Sequence, residues 1–571
     1  MRRAGHPAGP PAPPAGRVTR LDRQRAHAGA GAHDGGMPTI VLRTATAAAL
    51  AAALLTTSAC STGSGGTKKA PAGAAADTKP LKWGECEAPD AAEGGGQAPP
   101  ADWQCATLDV PLDYAKPEGE TIPIALIRAK ARNPKERLGS LVFNFGGPGG
   151  SGITTLPGAA KDYAALRARY DLVSFDPRGV GRSAPVLCEN DKQLDAYYAQ
   201  DSSPATPEQE KAFTDGLRTY QKACQANSGK VLPYVGTENA ARDLDRIRQA
   251  LGDPKLNYFG ISYGTELGGV YAHLFPKNVG RAVFDAVVDP TKDSEQGALG
   301  QAKGFQLALG NWAQDCVDRG AQCRLQGTTA KEVEDNIVKL QKQLAAKPIP
   351  GIGDRMLTET MATNGIAQAL YSKELWPLLE QGLDEAEGGQ GQLLMALSDA
   401  LNGRDQQGRY SNIGAANTAI SCADSKDRYS LEQTKAKLPE FRKASPVFGD
   451  FLGWALLSCT GWPVAGAWQT PDVSAPGSAP ILVVGNTGDP ATPYEGARNM
   501  VDRLGKGVGV ELTFKGQGHG AYNSGDRCVQ RAVNAYLLDG KVPGAKAVCT
   551  PGTANDEGVV PPSGTTPPGQ V

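Results

Sequence analysis

The strongest constraint on how this chain can fold is a series of short apolar runs. "TIPIALIRAKA", "SLVFNFGG", "YDLVSFDPRG", "LNYFGIS", "RAVFDAVVD", "APILVVGNTGD" and "VELTFKGQGHG" follow one another along the sequence. Several are apolar at consecutive positions, as expected of strands covered on both faces. Helical patterns separate them. The clearest is "TENAARDLDRIRQALG", with Ala240, Leu244, Ile247 and Leu251 at helical spacing and Gly252 as a stop. This alternation predicts a mostly parallel sheet with helices on both faces, an α/β class. It fails between about Thr291 and Thr470, where "GFQLALGNWAQDCV", "AKEVEDNIVKLQKQLAA" and "ELWPLLEQGLDEA" are helical in pattern; strand signals return at Ile481. Residues 293–470 are therefore expected to form a largely helical cap inserted before the last strands. The core then has two parts, 81–292 and 471–550.

The ends read differently. The chain has net charge −1, and its first 59 residues hold seven Arg against two Asp, so the remainder carries −6. A weakly acidic body without a basic stripe argues against a nucleic-acid partner. Residues 1–36, rich in Ala, Gly, Pro and Arg, offer little to pack. Met37 then opens "MPTIVLRTATAAALAAALLTTSAC". Arg43, an apolar run of about a dozen residues and small residues before Cys60 make a secretory signal peptide, too short for a membrane span. Met37 is the expected start, and 1–59 an upstream extension plus signal. "TSAC" resembles the lipobox of bacterial lipoproteins, with Thr57 where that motif prefers Leu. Cys60 is thus the expected lipidation site, and its lipid the only expected tie to a membrane; plain signal-peptidase cleavage nearby is the alternative. Residues 60–80 read as a flexible tether and 551–571 as a disordered tail.

Cysteine usage fits export to the cell exterior or the outer face of the membrane. Beyond Cys60 there are ten: Cys86, Cys105, Cys188, Cys224, Cys316, Cys323, Cys422, Cys459, Cys528 and Cys549. An even number in an exported chain points to disulfides. Pairing in chain order would close five short loops, although spacing alone leaves the connectivity open. No Cys/His cluster has metal-site spacing, so no metal is expected.

The stretch "NYFGISYGTELGG" raises the chemistry. Gly-x-Ser-x-Gly after a strand and before a helix fits a nucleophile elbow, which presents Ser262 at the C-terminal edge of a sheet. A serine hydroxyl needs a base. Five histidines exist, and His6, His27 and His33 lie in the leader. His273 follows Ser262 by eleven residues on one expected helix, roughly 16 Å along the axis and out of reach. His519, in "FKGQGHGAY" just after the last predicted strand, remains. The imidazole needs a carboxylate to fix its tautomer. Asp489, after "ILVVGNTG", gives the order Ser…Asp…His of α/β-hydrolases; Asp285 and Asp289 are its rivals. The oxyanion needs two donors. The backbone N–H of Tyr263 is one, and the Gly-rich loop "NFGGPGGSG", with Gly146 and Gly147, is placed to supply the other.

Together "FNFGGPGGSG", "SFDPRGVGRS", "NYFGISYGTELGG", "ILVVGNTGDPATP" and "GQGHGAY" resemble the secreted tripeptidyl aminopeptidases, prolyl-iminopeptidase-related α/β-hydrolases. "WQCATLDVPLDYAKP" and "AISCADSKD" also match, so the resemblance spans roughly residues 81–550. It implies an α/β-hydrolase fold, an exported serine exopeptidase, peptide substrates and no cofactor. It also implies Ser262 as nucleophile, Asp489 as acid, His519 as base, and Gly146, Gly147 and Tyr263 around the oxyanion. Related iminopeptidases carry His where this chain has Phe145, so no role of that histidine transfers. Asp176-Pro177-Arg178-Gly179 is expected to shape a loop beside the site. A free α-amine calls for a carboxylate that favours an ammonium over a mid-chain amide. Asp424, Glu374 and Glu266 are the candidates, Asp424 first because Cys422 can pin its segment. Release of three residues calls for an anchor roughly 10 Å from Ser262. A proline iminopeptidase or carboxylester hydrolase on the same fold is the nearest alternative, and a non-catalytic peptide-binding lipoprotein the alternative of another class.

Overall fold

The computed structural model describes residues 80–90, 93 and 95–552. The expected signal peptide, Cys60, nearly all of the tether and nearly all of the tail lie outside them. Nine strands form one sheet: β1 (Trp103–Pro111), β2 (Thr121–Ala129), β3 (Gly139–Asn144), β4 (Tyr170–Phe175), β5 (Leu256–Ile261), β6 (Val279–Asp285), β9 (Ile481–Gly488), β10 (Gly509–Gln517) and β11 (Ala547–Cys549). Their spatial order is β1-β2-β4-β3-β5-β6-β9-β10-β11. The β1–β2 and β2–β4 pairs are antiparallel, and every later pair is parallel.

The apolar runs are continuous because each strand feeds two cores. Leu141, Phe143, Phe259, Val283, Leu482 and Val484 point to one face. Their immediate neighbours Val142, Tyr258, Phe284 and Val483 point to the other. Period-two alternation with both faces covered makes every position apolar. Helices α1 (Gly152–Ala159) and α15 (Arg527–Asp539) close the first face through Leu156, Val529 and Val533. Helices α4 (Thr237–Leu251), α5 (Tyr263–Leu274) and α14 (Glu495–Leu504) close the second through Leu244, Ile247, Leu267 and Met500. Gly252 ends α4 in the left-handed conformation, φ 74°.

Two helical excursions leave the sheet. One runs from β4 to α4 and contains α2 (Asp191–Tyr198) and α3 (Pro207–Ser228); the sequence reading did not set it apart. The other runs from β6 to β9. It holds α6 (Ser294–Asp318), α7 (Ala330–Ala346), α8 (Glu359–Leu370), α9 (Trp376–Glu387), α10 (Gln392–Leu401), α11 (Ile413–Asp424), α12 (Leu431–Ala444) and α13 (Gly449–Trp454). It also holds a two-stranded hairpin, β7 (Ile349–Pro350) and β8 (Met356–Leu357). This cap has a hydrophobic core of its own, around Trp312, Ile337, Met361, Trp376 and Leu379. The excursions meet where Phe213 of α3 packs edge-on against Trp454, ring centroids 5.7 Å apart.

Five disulfides join the ten cysteines in chain order: Cys86–Cys105, Cys188–Cys224, Cys316–Cys323, Cys422–Cys459 and Cys528–Cys549. Such bridges persist in oxidising compartments. Among the described residues no helix is long and apolar enough to cross a membrane.

Candidate active site

Ser262 sits between the end of β5 and the start of α5 with φ 57° and ψ −127°. A non-glycine residue is strained there, and such strain concentrates at functional sites. The flanking glycines are sterically required. A Cβ on Gly260 would lie 2.4 Å from the Gly264 carbonyl oxygen, and one on Gly264 would lie 2.5 Å from that of Asn144. The elbow is fastened from β6, where the Asp285 carbonyl accepts the Ser262 N–H at 3.0 Å.

The Gly-rich loop presses on this elbow. A Cβ on Gly146 would meet Ile261 O at 2.5 Å, Ser262 Cβ at 2.8 Å and Tyr263 N at 3.0 Å. The Gly146 N–H donates to Asn144 Oδ1 at 3.1 Å, so it is already engaged. Of the two glycines singled out in the sequence, Gly147 is the one that lines the cavity beside Ser262 and Tyr263; Gly146 contributes the close approach instead of a free donor. The loop is held by the "DPRG" segment. Asp176 Oδ1 accepts the Ser151 hydroxyl at 2.7 Å and the Ile153 N–H at 3.2 Å. Burial pushes this carboxyl up to about 6, against those hydrogen bonds. Arg178 is sealed in a bidentate pair with Asp243, at 2.6 and 2.7 Å, and caps the carbonyls of Pro111, Leu112 and Tyr234.

His519 Nδ1–H donates to Asp489 Oδ1 at 2.9 Å. Since a carboxylate only accepts, the proton sits on Nδ1 and leaves the Nε2 lone pair available in the neutral ring. Asp489 is fully buried and fixed by three more donors, the N–H groups of Ala491, Thr492 and Gly520. Burial pulls the His519 pKa down, but the charge and hydrogen bond of Asp489 outweigh it and the net shift is upward. Asp285, the rival in sequence, does something else. Its carboxylate accepts the N–H groups of Ala521 and Tyr522 at 2.9–3.1 Å, so one residue holds both the Ser262 elbow and the turn after His519. Burial pushes the Asp285 carboxyl up to about 6. Asp289 accepts from Thr291 and Asn499. His273, on α5, instead contacts the Ser474 carbonyl at 2.8 Å.

Two residues that touch His519, Tyr371 and Thr492, were not read from the sequence. The His519 N–H donates to the Tyr371 carbonyl at 2.7 Å, and the Tyr371 ring meets the imidazole edge-on with centroids 5.0 Å apart. Thr492 Oγ1 lies 3.4 Å from His519 Nδ1. Thr492 stands three residues after Asp489 in an Asp-Pro turn, a legible local signal. Tyr371 comes from the cap, and no local pattern announces it.

A cavity of about 350 Å³ opens above Ser262, walled by Gly147, Tyr263, Glu266, Asp424, Trp468 and Thr492 among others. Glu266 and Asp424 both face it. Asp424 is nearly buried and its two oxygens are occupied by Thr237, whose N–H donates at 2.8 Å and hydroxyl at 2.6 Å. Thr237 is the first residue of α4, so Asp424 caps that helix from α11. Glu266 has no side-chain hydrogen bond to a described residue. Burial, then the Asp424 charge, push its carboxyl up to about 8. Burial pushes Asp424 up to about 7, opposed by its bonds to Thr237. Glu374 is a correction. It lies exposed on the short turn Lys373–Leu375 and is absent from the cavity wall, because that turn faces solvent.

The sheet order and the elbow define an α/β-hydrolase. A family model for the alpha/beta hydrolase fold matches residues 139–321, and one described as TAP-like protein matches residues 445–549. Serine protease Hip1 of Mycobacterium tuberculosis is 38% identical over 485 residues, 82% of this chain and 91% of that one. The tripeptidyl aminopeptidase of Streptomyces lividans is 34% identical over 79% of this chain and 85% of its own. Carboxylesterase B of M. tuberculosis is 36% identical over 78% and 86%. The chain belongs to the tripeptidyl aminopeptidase family of α/β-hydrolases, related to the prolyl iminopeptidases.

Proposed function

We propose that this protein is an exported serine exopeptidase that releases short peptides, tripeptides above all, from free N-termini. Ser262 Oγ attacks the scissile carbonyl carbon while its proton passes to His519 Nε2. Asp489 holds the ring and balances the imidazolium. The N–H groups of Gly147 and Tyr263 receive the oxyanion, aided by the N-terminus of α5. His519 then returns the proton to the departing amine, the acyl-enzyme forms on Ser262, and water activated by His519 releases the peptide. Glu266 receives the substrate ammonium and Asp424 supports it. No cofactor takes part.

The observation that carries this reading is the free carboxylate of Glu266 in the same cavity as the strained Ser262. Once ionised, a half-buried carboxylate in such a cavity selects a cation and rejects a neutral amide. The relative named a tripeptidyl aminopeptidase supports the product length. The relative named a carboxylesterase favours a second reading, ester hydrolysis at the same serine. The test compares the anilides of Ala-Ala-Pro, Pro and acetyl-Ala-Ala-Pro with a butyrate ester. Cleavage confined to the free tripeptidyl anilide, with release of intact Ala-Ala-Pro by mass, is expected. Equal cleavage of the acetylated substrate, or turnover of the ester alone, would overturn it.

A further inference from the structure

We propose that a second cavity, between α3 and the cap, is a binding site for a small planar aromatic amide. The cavity measures about 260 Å³ and shares no wall residue with the one above Ser262. Its apolar walls are Tyr197, Tyr198, Phe213, Leu217, Leu401 and Phe451. Gln200, Asp201, Thr360, Asn364 and Asn402 are among the polar side chains that interrupt this surface. Asn364, in the middle of α8, is 4% exposed and lines the cavity. Its amide has no hydrogen-bond partner among the described residues, whereas Thr360, Asn402 and Asp201 beside it are paired. Thr360 accepts the Ser202 N–H at 3.0 Å, the Asn402 amide donates to Ser398 O at 3.0 Å, and Asp201 accepts the Ser203 N–H at 2.8 Å.

An amide on a buried residue that faces only the cavity, with no protein partner, is open to pairing with an occupant. The inward positions of α8 mix apolar Met361, Ile366 and Leu370 with buried Thr360 and Thr363, which pair with Ser202 and with Gln341 and Glu359. Of Thr360, Thr363 and Asn364, only Asn364 lacks a hydrogen-bond partner among the described residues. Its side chain offers a donor and an acceptor on one edge. A lactam or primary carboxamide in a flat ring system pairs with both at once. The aromatic walls suit the faces of such rings. The volume lies just under the range of drug-sized sites, which fits a fused bicycle. Asp201 in the wall disfavours an anion, and a simple cation would leave the Asn364 amide hydrogens unpaired. Because the walls come from α2 and α3 on one side and from the cap on the other, an occupant also ties these segments together and should raise the melting temperature.

The test titrates 2-quinolinone into the full protein, followed by its fluorescence and by thermal shift. Saturable binding is expected, weakened about tenfold or more by N-methylation of the probe or by Asn364→Leu, as for loss of a buried hydrogen-bonded pair. Leu217→Trp, which fills the cavity from α3, is expected to abolish binding. Fluorophosphonate labelling of Ser262 is a separate readout, so failure here is distinguishable from failure of the peptidase reading. The N-methyl comparison uses the unaltered protein and stands even if a variant does not fold. The site is overturned by absence of saturable binding at the solubility limit of the probe, or by binding that neither N-methylation nor Asn364→Leu weakens.

Discussion

Glu266 and Asp424 are two carboxylates in one cavity with different occupations. Asp424 is committed to the first turn of α4, and Thr237, which binds it, also shares a 2.6 Å hydrogen bond with the Tyr263 hydroxyl. Glu266 is uncommitted. The sequence ranked them the other way, since the pairing of Asp424 with Thr237 spans 187 positions and leaves no local trace. Glu266→Gln should therefore raise KM for a free-amine tripeptidyl anilide about tenfold or more, with hydrolysis of a small ester unchanged. The pH dependence follows from the same group. Only ionised Glu266 attracts an ammonium, and its carboxyl is pushed up to about 8. KM for the free-amine substrate should fall as pH climbs toward 8, and Glu266→Gln should flatten that limb in steady-state kinetics. Ser262→Ala should lower kcat by about 10⁴-fold or more and abolish fluorophosphonate labelling, with an unchanged circular dichroism spectrum.

At the scale of elements, the site is built from joints. The end of β5, the start of α5 and the Gly-rich loop close on one another with no room for a Cβ at Gly146. Gly146→Ala should leave a folded protein with strongly reduced turnover, read as kcat at constant secondary structure. Behind the joint, Arg178 and Asp243 are 1% and 0% exposed and form a bidentate ion pair, with Tyr114 donating to Asp243 as well. Removing one member of such a pair strands a buried charge, so Asp243→Ala should cost about 3–5 kcal/mol in urea unfolding. The elbow, the strand runs and the stop at Gly252 were legible because each is a local pattern with a local cause. Only His273 and His519 remained as bases beyond the leader, and helical rise excluded His273. What stayed hidden was assembled between segments: the engagement of Gly146 with Asn144, the seat of His519 on Tyr371, and the excursion of α2 and α3. That excursion was hidden because its partners are distant in sequence: Phe213 and Leu217 of α3 pack with Trp454, while Tyr220 and Cys224 join the core of the sheet.

Across the whole molecule, burial has raised the pKa of several acids: Asp176, Asp285, Glu266, Glu359 and Asp424. Each folded value exceeds its unfolded one, so the folded state holds more protons between about pH 4 and 8. Stability from these groups is full below their unfolded pKa values and is lost as pH rises through the folded ones. The net upward shift of His519 acts in the same direction. The melting temperature should thus be higher near pH 5 than near pH 8, and Glu266→Gln together with Asp424→Asn should shrink the difference in calorimetry. The bond from His519 N–H to the carbonyl of Tyr371 carries a last consequence. It makes the covering segment part of the machinery beneath it. A trimmed version lacking 293–470 would lose the backbone rest of its own imidazole. Any redesign of the roof over the substrate has to leave that single peptide group standing.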